Sequence, residues 1–324
     1  MRPFSYAAPT TIEQAVSLLE VEGSEVLAGG TDLLSLLKDD VERVERLVSL
    51  RGVEGLSDID VSGSQLRIGA MTTLQELRDH DGATEAVPAL VTAIDGVASA
   101  QLRAMGTVGG DLLQRPRCWY YRRGYGLLAL GRDGGSMVTE GDNRYHAIFP
   151  DGHARFVSPS SLAPLLVALG AEATVRGPDG ERRVPVEALY RAPQVEGERE
   201  NTLGRGELLV EITAAVGGVR TAVYEVRQRR SLDWPLMTAA VSLTGEAPRV
   251  DQARIVLGHA APIPYLAVAA GEVAAGGELT PARIEEAAEK AASGARPMSG
   301  NRYKVQLART ATRRALGLAA GMEA

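Results

Sequence analysis

The sequence predicts an α+β protein in two parts, and three observations carry that expectation. Apolar, β-branched runs at residues 222–226, 237–243 and 253–257 precede two helical patterns at 281–292 and 303–316, the order expected of a sheet with helices packed against it. Upstream, short strands and helices are punctuated by two nearly repeated segments, Ala28-Gly29-Gly30-Thr31-Asp32-Leu33-Leu34 and Val108-Gly109-Gly110-Asp111-Leu112-Leu113. The texture changes again at Gly217-Gly218, which places a domain boundary near residue 216.

The elements follow in order. Residues 11–19 carry apolar positions at helical spacing, with Thr10 or Thr11 as the N-cap. Residues 25–28 form a short strand running into the first diglycine, and 33–38 a short helix or turn. Strands are expected at 46–50 and 65–70. A helix over 73–78 is capped by Thr72 or Thr73, with Glu76 where a capping box places it. Residues 87–105 read as helical and lead into the second diglycine. Residues 114–149 lose periodicity and crowd arginine, tyrosine and glycine together. They read as a long surface excursion, which in a compact domain is either functional or flexible. A helix at 161–170, a strand at 171–176, a turn at 177–180 and a strand at 208–212 complete the first part.

Composition narrows the function. With 324 residues, 45% of them hydrophobic and 23% charged, the chain has the makeup of a globular protein of two or three packed units. A net charge of −6 without a basic stripe argues against a nucleic-acid partner. No apolar run approaches the ~20 residues that cross a bilayer. The N-terminal residues 1–6 lack the apolar centre of a secretion signal, so a cytoplasmic location is expected. The single cysteine, Cys118, excludes an internal disulfide and an all-cysteine metal site. His80, His146, His153 and His259 show no ligand spacing, so no metal site is expected.

Paired glycines let the backbone turn sharply and approach a bulky or charged group, and successive N–H groups in such a turn suit a phosphate. One Gly-Gly turn is common and usually just a turn. Two with the same grammar, far apart in the chain, suggest a ligand long enough to touch both. The usual dinucleotide fingerprint, the Walker loop and the nucleophile elbow are all missing from the sequence. Cofactor binding by backbone, with the chemistry carried by the cofactor, is what remains.

Three segments in order, residues 26–33, 106–112 and 254–262, resemble the FAD-binding medium subunit of molybdenum hydroxylases, and the resemblance covers essentially the whole chain. In pattern it is nearest to periplasmic-type aldehyde oxidoreductase flavin subunits, through residues 110–118 and 143–148. The resemblance implies a two-part FAD-binding domain of the vanillyl-alcohol-oxidase-like type over 1–216, in subdomains 1–58 and 59–216 with an insertion at about 114–149. A C-terminal domain over 217–324 would follow, with a small antiparallel sheet flanked by helices. It also implies site roles. Val26, Leu27, Ala28, Gly29, Gly30, Thr31, Asp32 and Leu33 would line the FAD diphosphate as a first loop. Thr107, Gly109, Gly110 and Asp111 would form a second loop against the diphosphate and ribityl chain. Arg229 and Arg230 match the segment by which the C-terminal domain approaches the flavin, where they would face reduced flavin or form a solvated pair.

The implied function is electron transfer. A partner large subunit would carry the molybdopterin centre and export, if any, would be alongside a partner. Electrons would pass through [2Fe–2S] clusters of a small subunit to FAD here, then to an external acceptor. Three departures stand out. Asp111 replaces the family's asparagine, and a carboxylate is unfavourable beside a diphosphate unless it faces a hydroxyl or an N–H. Ser161 replaces an aspartate. The insertion, which holds an iron–sulfur cluster in the aldehyde oxidoreductase relatives, keeps only Cys118 of four cysteines. Cys118 then reads as a partly buried thiol, and residues 119–121 as packing aromatics or a path to a partner's surface. A self-sufficient flavoenzyme and a flavin-free scaffold on the same fold are the competing readings.

Overall fold

The computed structural model describes residues 1–97, 99–229 and 233–322, and three larger sheets and a two-stranded one organise them. β1 (Ser5–Ala7), β2 (Ser24–Leu27) and β3 (Arg46–Ser49) form a small parallel sheet in the order β1-β3-β2. The helix Ile12–Leu19 crosses between its strands, as parallel pairing requires, and is capped by the Thr11 side chain accepting from the Gln14 N–H. β2 ends at Leu27, so the first diglycine leaves the carboxyl end of a strand.

β4 (Ile59–Ser62), β5 (Gln65–Gly69), β6 (Glu172–Gly177), β7 (Gly180–Pro185) and β8 (Leu208–Ala215) make an antiparallel sheet in the order β4-β5-β8-β6-β7. Leu66, Ile68 and Ile212 on it are fully buried against Leu90, Ile94, Leu165 and Leu166 of the covering helices. Each such side chain contributes about 1.5–3 kcal/mol by leaving water. β9 (Val219–Val226), β10 (Met237–Thr244), β11 (Arg249–Val250), β12 (Gln252–Gly258) and β13 (Tyr265–Leu266) follow. Four of them form the antiparallel sheet β13-β12-β10-β9, while β11 pairs with β14 (Gly277–Glu278). The helix Tyr303–Ala319 lies on that sheet and the helix Pro281–Ala292 packs against that helix in turn, in a cluster that includes Ala287, Ala291, Ala308, Ala311 and Ala315, whose small side chains allow close approach. No helix of the described residues is long and apolar enough to cross a membrane.

Two local expectations need correction. The stretch 87–105, expected to be helical, forms two helices, Ala89–Asp95 and Ala100–Met105, with Gly96 between them. The Arg227 guanidinium donates to the Gly96 carbonyl, and a Cβ at Gly96 would overlap the Glu225 carboxylate. The chain opens there to meet β9. The stretch 114–149 is no surface excursion: Cys118, Tyr121, Leu127 and Leu128 pack with Leu36, Phe156 and Ala192 in a core of their own. Its apolar residues follow neither a strand nor a helix period because its helices, Trp119–Arg122 and Met137–Glu140, are one turn each.

Candidate cofactor site

The two diglycine loops meet. A Cβ on Gly29 would overlap the Met105 carbonyl, so the first loop packs main chain to main chain against the entry to the second. Gly30 has φ +72°, where a Cβ would also lie 2.9 Å from Leu34 Cδ1. A β-branched residue is strained there by about 1–3 kcal/mol. On the second loop a Cβ at Gly109 would sit 3.0 Å from Ala70. Val26, Ala28, Gly29, Gly30, Thr31, Asp32 and Leu33 from the first loop and Thr107, Gly109 and Gly110 from the second line one cavity of about 410 Å³.

The loops differ in what they offer. Among the described residues, the amides of Gly29, Gly30, Thr31 and Leu33 make no hydrogen bond. In the second loop the Gly109 N–H donates to the Ala70 carbonyl at 2.8 Å and the Gly110 N–H to Thr107 Oγ1 at 3.0 Å. The expectation that both bends present free amides is therefore corrected: the second keeps its geometry by hydrogen-bonding its own. It has the Thr107 hydroxyl hydrogen left to donate.

Asp111 is also corrected. It does not line the cavity; it is buried and accepts from Ser160 Oγ at 2.5 Å, from the Leu162 N–H at 3.1 Å and from Gln114 Nε2 at 3.0 Å. Burial pushes its pKa up, against those hydrogen bonds. The carboxylate thus ties the second loop, through the Ser160 hydroxyl and the Leu162 N–H, to the turn that opens the helix Ala163–Ala168. Leu27 does not line the cavity either.

Asp32 lies in the cavity wall with its carboxylate taken. It accepts from the Arg115 N–H at 2.8 Å, from Arg122 Nη2 at 2.8 Å and from Arg117. Burial raises its pKa, but the Arg117 and Arg122 guanidiniums outweigh that and hold the carboxyl below its usual range. The start of the insertion is thereby pinned to the first loop. The cavity's arginines are paired as well: Arg115 with Glu200 at 2.5 Å and Glu42 at 2.8 Å, Arg199 with Glu25 at 2.7 Å, and Arg205 with Glu22 at 3.8 Å. With these cations paired, the unbonded amides of 29–33 are the donors left without a partner in the cavity wall.

Arg229 lies apart from this cavity. Its side chain is 76% exposed and pairs with Asp233 at 2.8 Å, and Arg230 lies outside the described residues. Sequence reasoning missed the far wall, residues 199–209, although Gly204-Arg205-Gly206 before β8 is a turn signal that could have found it. It also missed the contact between Cys118 Sγ and His146 Nε2 at 3.1 Å, which no sequence spacing announces.

The fold and this cavity define a class, a two-part α+β protein with a main-chain-walled cavity between its two diglycine segments. Comparison with known proteins agrees. Residues 2–214 match the FAD binding domain in molybdopterin dehydrogenase, and residues 222–319 the CO dehydrogenase flavoprotein C-terminal domain. The aldehyde oxidoreductase FAD-binding subunit PaoB of Escherichia coli is 31% identical over 82% of this chain and 84% of its own length. The carbon monoxide dehydrogenase medium chain of Hydrogenophaga pseudoflava is 27% identical over 98% and 96%. A solved structure, reconstituted CO dehydrogenase from Oligotropha carboxidovorans, superposes with a TM-score of 0.78 at 25% identity, covering 99% of both chains. The chain belongs to the FAD-binding medium subunits of the molybdenum hydroxylase family. It is an FAD-binding, electron-transferring subunit of an oxidoreductase complex.

Proposed function

We propose that the 410 Å³ cavity holds FAD, with the diphosphate against Gly29, Gly30, Thr31 and Leu33 and against the Thr107 hydroxyl. One observation carries the reading: the five amides of residues 29–33, without an internal partner, belong to the wall of the same cavity as the second diglycine segment. The residues fit the group. Glycine at 29, 30 and 109 leaves room that a Cβ would take, and main-chain N–H groups bind a diphosphate without needing a net positive pocket. Bound FAD supplies two-electron redox chemistry. The chain's own part is to orient it: Asp32, held by Arg115, Arg117 and Arg122, fixes the loop's exit, and Asp111 fixes the second loop from behind. Val26, Ala28 and Gly110 complete the wall.

We also propose the division into a cofactor domain over 1–216 and a C-terminal domain over 217–324. The partners we propose are a molybdopterin-binding large subunit, where substrate is oxidised, and a [2Fe–2S] small subunit that delivers electrons. The test is co-expression with candidate partners. Stoichiometric FAD on this chain, and a complex in which reduction of the FAD depends on both partners, is expected. A chain that takes up no flavin from a saturating solution, or that turns over substrate alone, contradicts the reading.

A further inference from the structure

The insertion at 114–149 packs around the helix that leaves the first diglycine loop. The helix Leu33–Lys38 follows residues 29–32 directly, and its Leu36 side chain is fully buried in one cluster with Cys118, Tyr121, Leu127 and Leu128. Both ends of this helix are held by the insertion. At its start, Arg122 Nη2 donates to Asp32 Oδ1 at 2.8 Å and Arg122 Nη1 to Ser35 Oγ at 3.3 Å, with Arg117 and the Arg115 N–H on the same carboxylate. Past its last turn, the Val41 and Glu42 N–H groups donate to the Leu36 carbonyl at 2.9 and 3.3 Å, which fastens Glu42 to the helix. The Glu42 carboxylate accepts the Tyr121 hydroxyl at 2.6 Å and pairs with Arg115 at 2.8 Å.

Tyr121 stands between the two anchors. It is buried, and its ring centroid lies 5.3 Å from the Arg115 guanidinium carbon and 5.9 Å from that of Arg122, within cation–π range. Arg122 is fixed in turn by donating to the Pro116 and Arg115 carbonyls at 2.8 and 3.1 Å. Side chains locked by such contacts hold a binding loop in one geometry, so less ordering is left to do when a ligand arrives. The amides of 29–33 make no internal hydrogen bond, so the shape of that loop depends on what grips the helix after it.

We propose that Tyr121 and Arg122 are positioning residues for the cofactor: they hold the helix Leu33–Lys38 at both ends and so set the amides of 29–33 before FAD arrives. The proposal rests on the FAD reading of the cavity and deepens it by giving the insertion a task. Neither side chain lines the cavity, so each acts through the helix and not on the cofactor.

The test measures backbone ¹⁵N order parameters of the FAD-free full chain and, separately, its FAD dissociation constant. Tyr121→Phe removes one hydroxyl, and Arg122→Gln removes the charged anchor. Ile284→Val, a small buried change in the helix Pro281–Ala292, controls for general destabilisation. Without cofactor, the wild-type order parameters at 29–33 should be about 0.85, the value of rigid backbone. Both variants should lower them at those residues, Arg122→Gln to below about 0.6. FAD binding should weaken about threefold in Tyr121→Phe and about tenfold or more in Arg122→Gln, while Ile284→Val changes neither quantity. A wild-type loop below about 0.6 without FAD, order and affinity untouched in both variants, or a loss that Ile284→Val reproduces overturns the positioning role and leaves the FAD reading standing. Order lost at 29–33 with FAD affinity unchanged would instead overturn the first loop as the cofactor's grip.

Discussion

The carboxylate of Asp111 accepts the Ser160 hydroxyl at 2.5 Å, and both side chains are buried. The residue that interrupts the cofactor grammar of the second loop is thus a structural tie, joining the loop to the turn before the helix Ala163–Ala168. Replacing it leaves buried donors without acceptors, each costing about 1–3 kcal/mol. Asp111→Ala should therefore destabilise the FAD-free chain by about 2–4 kcal/mol in urea unfolding. Unchanged stability with lost FAD affinity would place the carboxylate on the cofactor instead.

Gly29 has no room for a methyl group. Gly29→Ala should force the loops apart at the Met105 carbonyl and lower FAD affinity at least tenfold while circular dichroism stays native. Gly317 sits inside the helix Tyr303–Ala319 with nothing within 4 Å of its added Cβ, so Gly317→Ala should leave FAD untouched and stabilise the chain by about 0.5–1 kcal/mol. Isothermal titration reads both FAD affinities, and urea unfolding the stability of Gly317→Ala.

Arg229, exposed and paired with Asp233, does not reach the cofactor cavity. Arg229→Ala should change the FAD dissociation constant less than threefold, a small effect expected of a surface pair. A loss beyond tenfold would bring the residue back into the cofactor site.

His146 is held neutral by burial and by Lys304, with its pKa lowered to about 4. The unfolded chain takes up a proton near pH 6.5 that the folded chain refuses. The stability associated with this residue is complete above pH 6.5 and falls as the pH drops toward 4. Between pH 7.5 and 5 the single site accounts for about 2 kcal/mol. His146→Gln should flatten the wild-type decline in urea-unfolding free energy by that amount. An identical decline in the variant would contradict the assignment.

Much of the fold was legible because local chemistry and tertiary structure agree. The Thr73–Glu76 capping box, the helix Pro281–Ala292 behind its Thr280 cap and the runs that became β9, β10 and β12 all form where their patterns predict. The second diglycine lies in a short helix, Val108–Leu112, whose N-cap is the Thr107 side chain, but the first was legible as a loop. Which amides remain free was not: Gly109 and Gly110 lose theirs to Ala70 and Thr107, and the first of those contacts is long-range. The contact of Cys118 with His146 was hidden for the same reason, because the two are 28 residues apart in sequence.

Amide hydrogen exchange resolved at single residues, with and without FAD, tests the central claim most directly. If the first loop grips the diphosphate, FAD should slow exchange at Gly29, Gly30, Thr31 and Leu33, leaving Gly109 and Gly110, already bonded within the chain, nearly unchanged. Strong new protection at Gly109 and Gly110 with none at residues 29–33 would contradict it.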